Sequence, residues 1–155
     1  KVRIKGFEFD MNMKVTDNIT LFGGYGFIDS KIRKLLSAPQ FEGNRAPYSA
    51  KYNLNAGTQI VYPVTDSYDL NLRGEYTRTG SIWYDASNLP GSMRKPVDLV
   101  NARVSLSGER WEFGFYGRNI FNKKYNSEAI PLLSIIQATF KAPRRAYGAE
   151  AKFKF

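Results

Sequence analysis

From residue 2 to residue 15 apolar and polar positions alternate. Phe7, Phe9, Met11, Met13 and Val15 fall on one side, and Gly6, Glu8, Asp10, Asn12 and Lys14 on the other. Such period-two patterning predicts a β-strand with one apolar and one polar face, because successive side chains of extended backbone point to opposite sides. The same rule marks six further strands. Residues 19–28 place Ile19, Leu21, Tyr25 and Phe27 on one side, although apolar residues occur on both. Residues 48–62 alternate most cleanly, with Tyr52, Leu54, Ala56, Thr58, Ile60 and Tyr62 against Lys51, Asn53, Asn55, Gly57 and Gln59. Residues 68–77 set Tyr68, Leu70, Leu72 and Tyr76 against Asp69, Asn71, Arg73, Glu75 and Thr77. Residues 97–107 set Val100, Ala102, Val104 and Leu106 against Asn101, Arg103 and Ser105. Residues 111–119 begin Trp111, Phe113, Phe115 against Glu112, Gly114, Tyr116. The last stretch, 143–155, sets Tyr147, Ala149, Ala151, Phe153 and Phe155 against Gly148, Glu150, Lys152 and Lys154. No convincing helix is predicted.

The connections decide the class. They are residues 16–18, 29–47, 63–67, 79–96, 108–110 and 120–142: short, long, short, long, short, long. A sheet with every tight turn at one end and every long loop at the other has the layout of an up-and-down membrane barrel. A soluble sandwich has no physical reason to segregate its loops. A strand of about thirteen residues rising about 3.3 Å per residue is roughly 43 Å long, and tilted by about 45° it climbs about 30 Å, one hydrocarbon thickness. Tyr48, Tyr62, Tyr68, Tyr76, Trp111, Tyr147 and Phe155 lie near strand ends, as interfacial girdles require, and Tyr62 and Tyr68 flank one short turn. Leu54, Ile60, Leu70, Leu72, Phe113 and Phe153 are expected to face lipid; Asn53, Gln59, Arg73, Glu75 and Lys152 are expected to face the lumen. The strand that ends on Phe155 is expected to be ordered to its last residue, since a closing strand must pair along its length. The expected fold class is therefore all-β, an antiparallel up-and-down transmembrane β-barrel. Seven strands are an odd count where bacterial single-chain barrels use even ones, and an open sheet leaves bare edges in lipid. Either a strand is hidden in a loop or the 155 residues belong to a larger barrel. The absence of an N-terminal signal peptide favours the second.

Composition narrows the chemistry. The 155 residues contain no Cys and no His, which removes disulfides, thiolate chemistry, the commonest general base and most zinc sites. Glu8 and Asp10 share a face, but no base, nucleophile or metal-ligand cluster joins them, so the chain is not expected to be an enzyme and no cofactor is implied. The net charge of +9 comes from 23 Lys and Arg scattered singly through strands and loops, with no basic helix or arm, and nucleic acid is not an expected partner. No run is long and apolar enough for a membrane helix, a criterion that membrane strands escape because half their residues can be polar.

Three stretches carry a resemblance. Gly43-Asn44-Arg45-Ala46-Pro47-Tyr48-Ser49-Ala50-Lys51-Tyr52 resembles the strand entry common in TonB-dependent outer-membrane receptors. Gly117-Arg118-Asn119-Ile120-Phe121-Asn122-Lys123-Lys124-Tyr125 resembles the segment after their penultimate strand, and 143–155 resembles their final strand and the C-terminal assembly signal of outer-membrane proteins. Order and spacing agree across essentially the whole chain. The resemblance implies that residues 1–155 are the last seven strands of a 22-stranded barrel, with the plug domain and TonB box absent from them. It implies outer-membrane lipid, the TonB complex (through the missing N-terminal region), the barrel-assembly machinery and an extracellular small ligand as partners. The location implied is the outer membrane of a Gram-negative bacterium, with the C-terminus periplasmic. The activity implied is TonB-energised import of a scarce nutrient, a ferric siderophore above others. Tyr147, Phe153 and Phe155 would then serve assembly and closure of the barrel.

Asn119 and Pro143 are read as ending and beginning strands, and Gly148 as allowing a neighbouring backbone or bulky side chain to approach. The polar face is expected to pack against a plug or line water. On the long loops Arg33, Arg45, Trp83 and Tyr84 are the candidates for substrate contact. Two other readings stay open: a small passive outer-membrane barrel acting as pore or adhesin, and a soluble β binding module.

Overall fold

Three tight turns set the register of the sheet. In the first, the Thr16 hydroxyl accepts hydrogen bonds from the Asn18 and Ile19 amides at 3.2 and 3.1 Å, and Lys14 meets Asp17 at 2.8 Å. In the second, Thr65 accepts from the Ser67 amide at 3.3 Å; in the third, the Gly108 amide donates to the Trp111 carbonyl at 2.9 Å. Short hydroxyl and acidic side chains that bond back to the backbone are what close such turns. The computed structural model describes residues 1–133 and 136–155. Its strands are β1 (Val2–Lys14), β2 (Ile19–Ile32), β3 (Tyr52–Thr65), β4 (Tyr68–Thr79), β5 (Ile82–Trp83), β6 (Met93–Arg94), β7 (Val97–Ser107), β8 (Trp111–Arg118), β9 (Asn126–Leu133), β10 (Ile136–Lys141) and β11 (Ala146–Phe153). One antiparallel sheet runs β1-β2-β3-β4-β7-β8-β11, and β5–β6 and β9–β10 are separate two-stranded pairs in the long connections. The turns lie at one end of the sheet and the long loops at the other.

Cross-strand register sorts the side chains. One row crosses Ile60, Leu72, Val104, Phe115 and Ala149, and the row beside it crosses Gln59, Arg73, Arg103, Tyr116 and Gly148. Directly opposed residues share a face, so the first row is apolar and the second polar. Leu54 opposite Tyr25, and Leu70 opposite Leu106, which in turn opposes Phe113, extend the apolar face. Glu75 opposite Asn101, and Lys152 opposite Glu112, extend the polar one. The apolar face stays open: Phe115 is 67% exposed and Phe7 62%. Two aromatic tiers cross it. Towards the turns, Tyr68, Trp111, Phe113 and Phe153 follow one another at centroid spacings of 5.6, 5.2 and 5.7 Å. Towards the loops, Phe7 lies 5.8 Å from Phe27 and 5.9 Å from Tyr25, which lies 6.3 Å from Tyr52.

The structure departs from the sequence expectation at the loop end. β2 runs on to Ile32 because β1 pairs with it as far as Val2. β3 starts at Tyr52, not Tyr48. Tyr48 has φ 55 and leaves the girdle to join the loops. Residues 120–142 are not an irregular loop; they contain the β9–β10 hairpin, and Ser134 and Ile135 lie outside the described residues. Single 3₁₀ turns form at Pro39–Phe41 and Pro90–Ser92. The final strand ends at Phe153; the Lys154 amide still donates to the Arg110 carbonyl at 2.9 Å, but Phe155 is fully exposed. Gly148 does what the sequence suggested. A Cβ there would collide with the Tyr116 ring, which lies across the polar face in the same row.

Candidate functional site in the loop layer

The small buried core of the described residues sits in the loops: Ile82, Tyr84 and Ala129, with Ala50 packed against them. Polar side chains stitch the loops together. The Asn44 amide donates to the carbonyls of Ala86 at 2.9 Å and Ser87 at 3.0 Å. Asn88, at φ 54, accepts from the Arg45 amide at 2.8 Å and donates to the Arg45 carbonyl at 3.2 Å. The Tyr48 and Tyr84 rings lie 5.8 Å apart, and each hydroxyl donates to the hairpin, Tyr48 to the Ala129 carbonyl at 2.9 Å and Tyr84 to the Asn126 carbonyl at 2.8 Å. Burial holds the Tyr84 hydroxyl above its ordinary pKa, with the positive charge of Arg94 acting weakly in the other direction.

Asn119 explains its own motif. Buried and in the left-handed region (φ 48), it accepts from the Lys123 amide at 2.7 Å. Its side-chain amide donates to the carbonyls of Lys123 at 3.0 Å and Pro143 at 3.3 Å. The exit of β8 is thereby bonded to the entry of β11. Asn122 repeats the device, accepting from the Arg144 side chain at 2.9 Å.

The four sequence-derived loop candidates have separate fates. Arg45 spends its guanidinium on the Ile28 carbonyl at 3.0 Å. Tyr84 is buried, and Trp83 beside it receives the Tyr48 amide on its carbonyl at 2.8 Å. Arg33 stands exposed at the start of the first loop, its amide on the Lys1 carbonyl at 2.8 Å. Trp83 and Tyr84 are brought together; Arg33 is not joined to them by any hydrogen bond among the described residues.

Sequence reasoning missed a second group. Tyr84, Arg94, Lys95, Lys123, Lys124 and Tyr125 help line a cavity of about 330 Å³ between the second and third long loops. The Arg94 guanidinium carbon lies 5.7 Å from the Tyr125 ring centroid. The available signal was two adjacent cation pairs, Arg94-Lys95 and Lys123-Lys124, each flanking a strand boundary. The charges that look scattered in the chain converge here.

On the polar face charges are matched instead. Arg103 donates to Glu150 and Glu112, each at 2.5 Å, and to Ser105 at 2.9 Å. Lys152 adds a contact to Glu112 at 3.4 Å. This network joins β7, β8 and β11 beside a shallow cavity of about 250 Å³ lined in part by Arg73, Glu75, Arg118 and Glu150. No group of three or more acidic, His or Cys side chains among the described residues is placed to hold a metal.

An antiparallel sheet with one open apolar face, aromatic tiers and segregated loops is a section of membrane-barrel wall. The chain belongs to the TonB-dependent receptor-like β-barrel family, whose model matches residues 1–120; this is a family of receptors, not of enzymes. Its fold is similar to that of the ferric yersiniabactin uptake receptor FyuA from Yersinia pestis, with TM-score 0.88 and 17% identity over 99% of this chain and 24% of that one. It is also similar to BauA, the ferric preacinetobactin receptor from Acinetobacter baumannii, with TM-score 0.73 and 23% identity over 97% and 22% of the two chains. The ferric citrate transporter FecA gives TM-score 0.75 and 19% identity over 97% and 24%. The chain thus spans about a quarter of the length of the receptors it matches.

Proposed function

We propose that residues 1–155 are the last seven strands of the barrel of an outer-membrane importer, and that the plug and the TonB-contacting region lie outside them. The cargo is a scarce large nutrient, with ferric siderophores the best-supported class because one fold relative is named as a siderophore receptor and two others as receptors of ferric yersiniabactin and ferric preacinetobactin. Energy reaches the receptor through TonB, and the C-terminus lies in the periplasm. The observation that carries the reading is the seven-stranded sheet with one open apolar face and every long loop at one end. In lipid the open edges, β1 and β11, cannot leave rows of N–H and C=O groups unpaired, so further strands must complete the wall.

Within this reading Trp83 and Arg33 meet the ligand at the mouth, whereas Arg45 and Tyr84 hold the loop layer in shape. Tyr147, Phe153 and Phe155 present an aromatic edge to the barrel-assembly machinery. Radioactive-iron uptake from a panel of ferric siderophores, by cells with and without the complete receptor, tests the proposal. Uptake should depend on the receptor and stop when the proton-motive force is collapsed. Receptor-independent uptake, or uptake indifferent to the proton-motive force, would overturn it. The small passive barrel would replace it if residues 1–155 alone refolded in detergent as a monodisperse, heat-modifiable monomer.

A further inference from the structure

The cavity between the second and third long loops is walled by cations that form no ion pair among the described residues. Pairing of Ile82 with Arg94 and of Trp83 with Met93 fixes one cationic edge. The Asn119 side chain, bonded to the Lys123 amide at 2.7 Å, and the Ala142 amide, bonded to the Tyr125 carbonyl at 3.0 Å, fix the other. Among the described residues none of Arg94, Lys95, Lys123 and Lys124 lies within ion-pair distance of a carboxylate. Asp98, close enough to Lys123 for their charges to interact, is already held by Arg78 at 3.0 Å and by the Tyr76 hydroxyl at 2.6 Å.

The Arg94 side chain is held in place at the rim of this cavity, its guanidinium carbon 5.7 Å from the Tyr125 ring centroid. The Nε–H of Arg94 is shielded from solvent and has no acceptor among the described residues. A shielded donor without an acceptor is costly, and four neighbouring positive charges repel one another. An oxyanion in the cavity would relieve the repulsion. The guanidinium is the side chain best shaped to take it, since its planar fork matches carboxylate and phosphate oxygens in pairs. Tyr125 beside it offers a flat face to the body of a ligand.

We infer that this cavity binds an anionic ligand through a carboxylate or phosphate group, with Arg94 as the orienting fork and Lys95, Lys123 and Lys124 as supporting charges. Size sets what can enter. At about 330 Å³ the cavity is at the lower end of small-molecule sites, so it takes a small anion or one acidic arm of a larger ligand. That the anion belongs to the imported cargo rests on the importer reading above; the binding itself does not.

The test uses the complete receptor polypeptide in detergent and isothermal titration calorimetry. The probes are inorganic phosphate, tricarballylate as the carboxylate arm, and the neutral triamide of tricarballylate. Saturable heat is expected with at least one of the two anions and none with the triamide; which anion binds tells phosphate from carboxylate. Affinity should fall by about tenfold or more in R94Q and in K123Q/K124Q, as loss of charge-assisted bonds requires, and should be unchanged in K34Q, which removes an exposed charge outside the cavity lining. Heat-modifiable migration confirms that each variant is folded, and K123Q/K124Q carries the test if R94Q is not. No saturable heat with either anion, or equal affinity in wild type and both cavity variants, overturns the inference. Energy-dependent iron uptake without anion binding sinks the site and leaves the importer reading standing; anion binding without uptake does the reverse.

Discussion

Arg103 and Arg94 are the same residue type in two settings. Arg103, in the wall, has Glu112, Glu150 and Ser105 as acceptors drawn from three strands. Arg94, in the loop layer, has a shielded Nε–H with no acceptor among the described residues. Around Arg103 the wall satisfies its own charges because register brings residues of opposite sign into adjacent rows. The loop layer gathers cations with no such rule. Its positive charge is therefore available to something outside the chain, while the wall's serves to hold strands together.

The largest effect should come from violating the faces of the wall. Leu72→Arg places a charge in the apolar row and should cost about 2–4 kcal/mol near mid-membrane. Arg73→Leu, one residue along, removes a long contact to Glu75 at 3.9 Å and a place over the Phe22 ring at 4.1 Å, and should cost about 1 kcal/mol or less. Denaturant unfolding of the complete receptor in phospholipid vesicles measures both. Equal losses would mean that the two faces are wrongly assigned.

Next comes the close approach at Gly148. Gly148→Ala drives a Cβ into the Tyr116 ring and should cost about 1–3 kcal/mol, the usual penalty for overpacking. Shortening Tyr116 to Ala in the same chain should recover much of that loss. A double variant no better than Gly148→Ala alone would show that the glycine is needed for its backbone and not for space.

The matched charges rank third. Arg103→Leu strips Glu112 and Glu150 of their main donor and should cost about 1–2 kcal/mol, because the group is partly screened by solvent. Arg94→Leu should change stability by about 0.5 kcal/mol or less while weakening anion binding by about tenfold or more. Reversal of this order would erase the distinction between wall and loop layer.

The same distinction governs what could be read from the chain. The wall was legible because alternation with period two states which residues share a face, and the turns at Thr16-Asp17-Asn18 and Gly108-Glu109-Arg110 fix the register. Leu54, Ile60 and Leu72 needed only that rule. The loop layer was not legible, because its order depends on contacts between distant segments. The β9–β10 hairpin has no clean alternation and leans on the hydroxyls of Tyr48 and Tyr84, far away in sequence. The girdle expectation for Tyr48 fails for the same reason, since nothing local shows that its backbone turns to φ 55. Nor does the sequence show that the Arg45 guanidinium lies 3.0 Å from the Ile28 carbonyl. No one-dimensional pattern announces that Arg94 and Lys123 are neighbours.

The smallest effect should come from one hydroxyl of the loop layer. Tyr84→Phe keeps the buried ring and removes only the bond to the Asn126 carbonyl, which should cost about 1 kcal/mol. The loss should be local: faster hydrogen exchange in β9 and β10 at neutral pH, with the amides of β4 and β7 unchanged. The pH dependence has a defined sign. Burial raises the Tyr84 pKa, so the folded loop layer holds the phenolic proton more tightly than the unfolded chain does. Its contribution is fully present below the unfolded value of about 10 and is lost as pH rises from there through the higher folded value. An alkaline absorbance titration should therefore show a late-ionising tyrosine that is absent from Tyr84→Phe, and the stability gap between the two proteins should narrow above about pH 10. If Tyr84→Phe speeds exchange in the wall as much as in the hairpin, the loop layer and the wall open as one unit, and the contrast between them is one of charge alone.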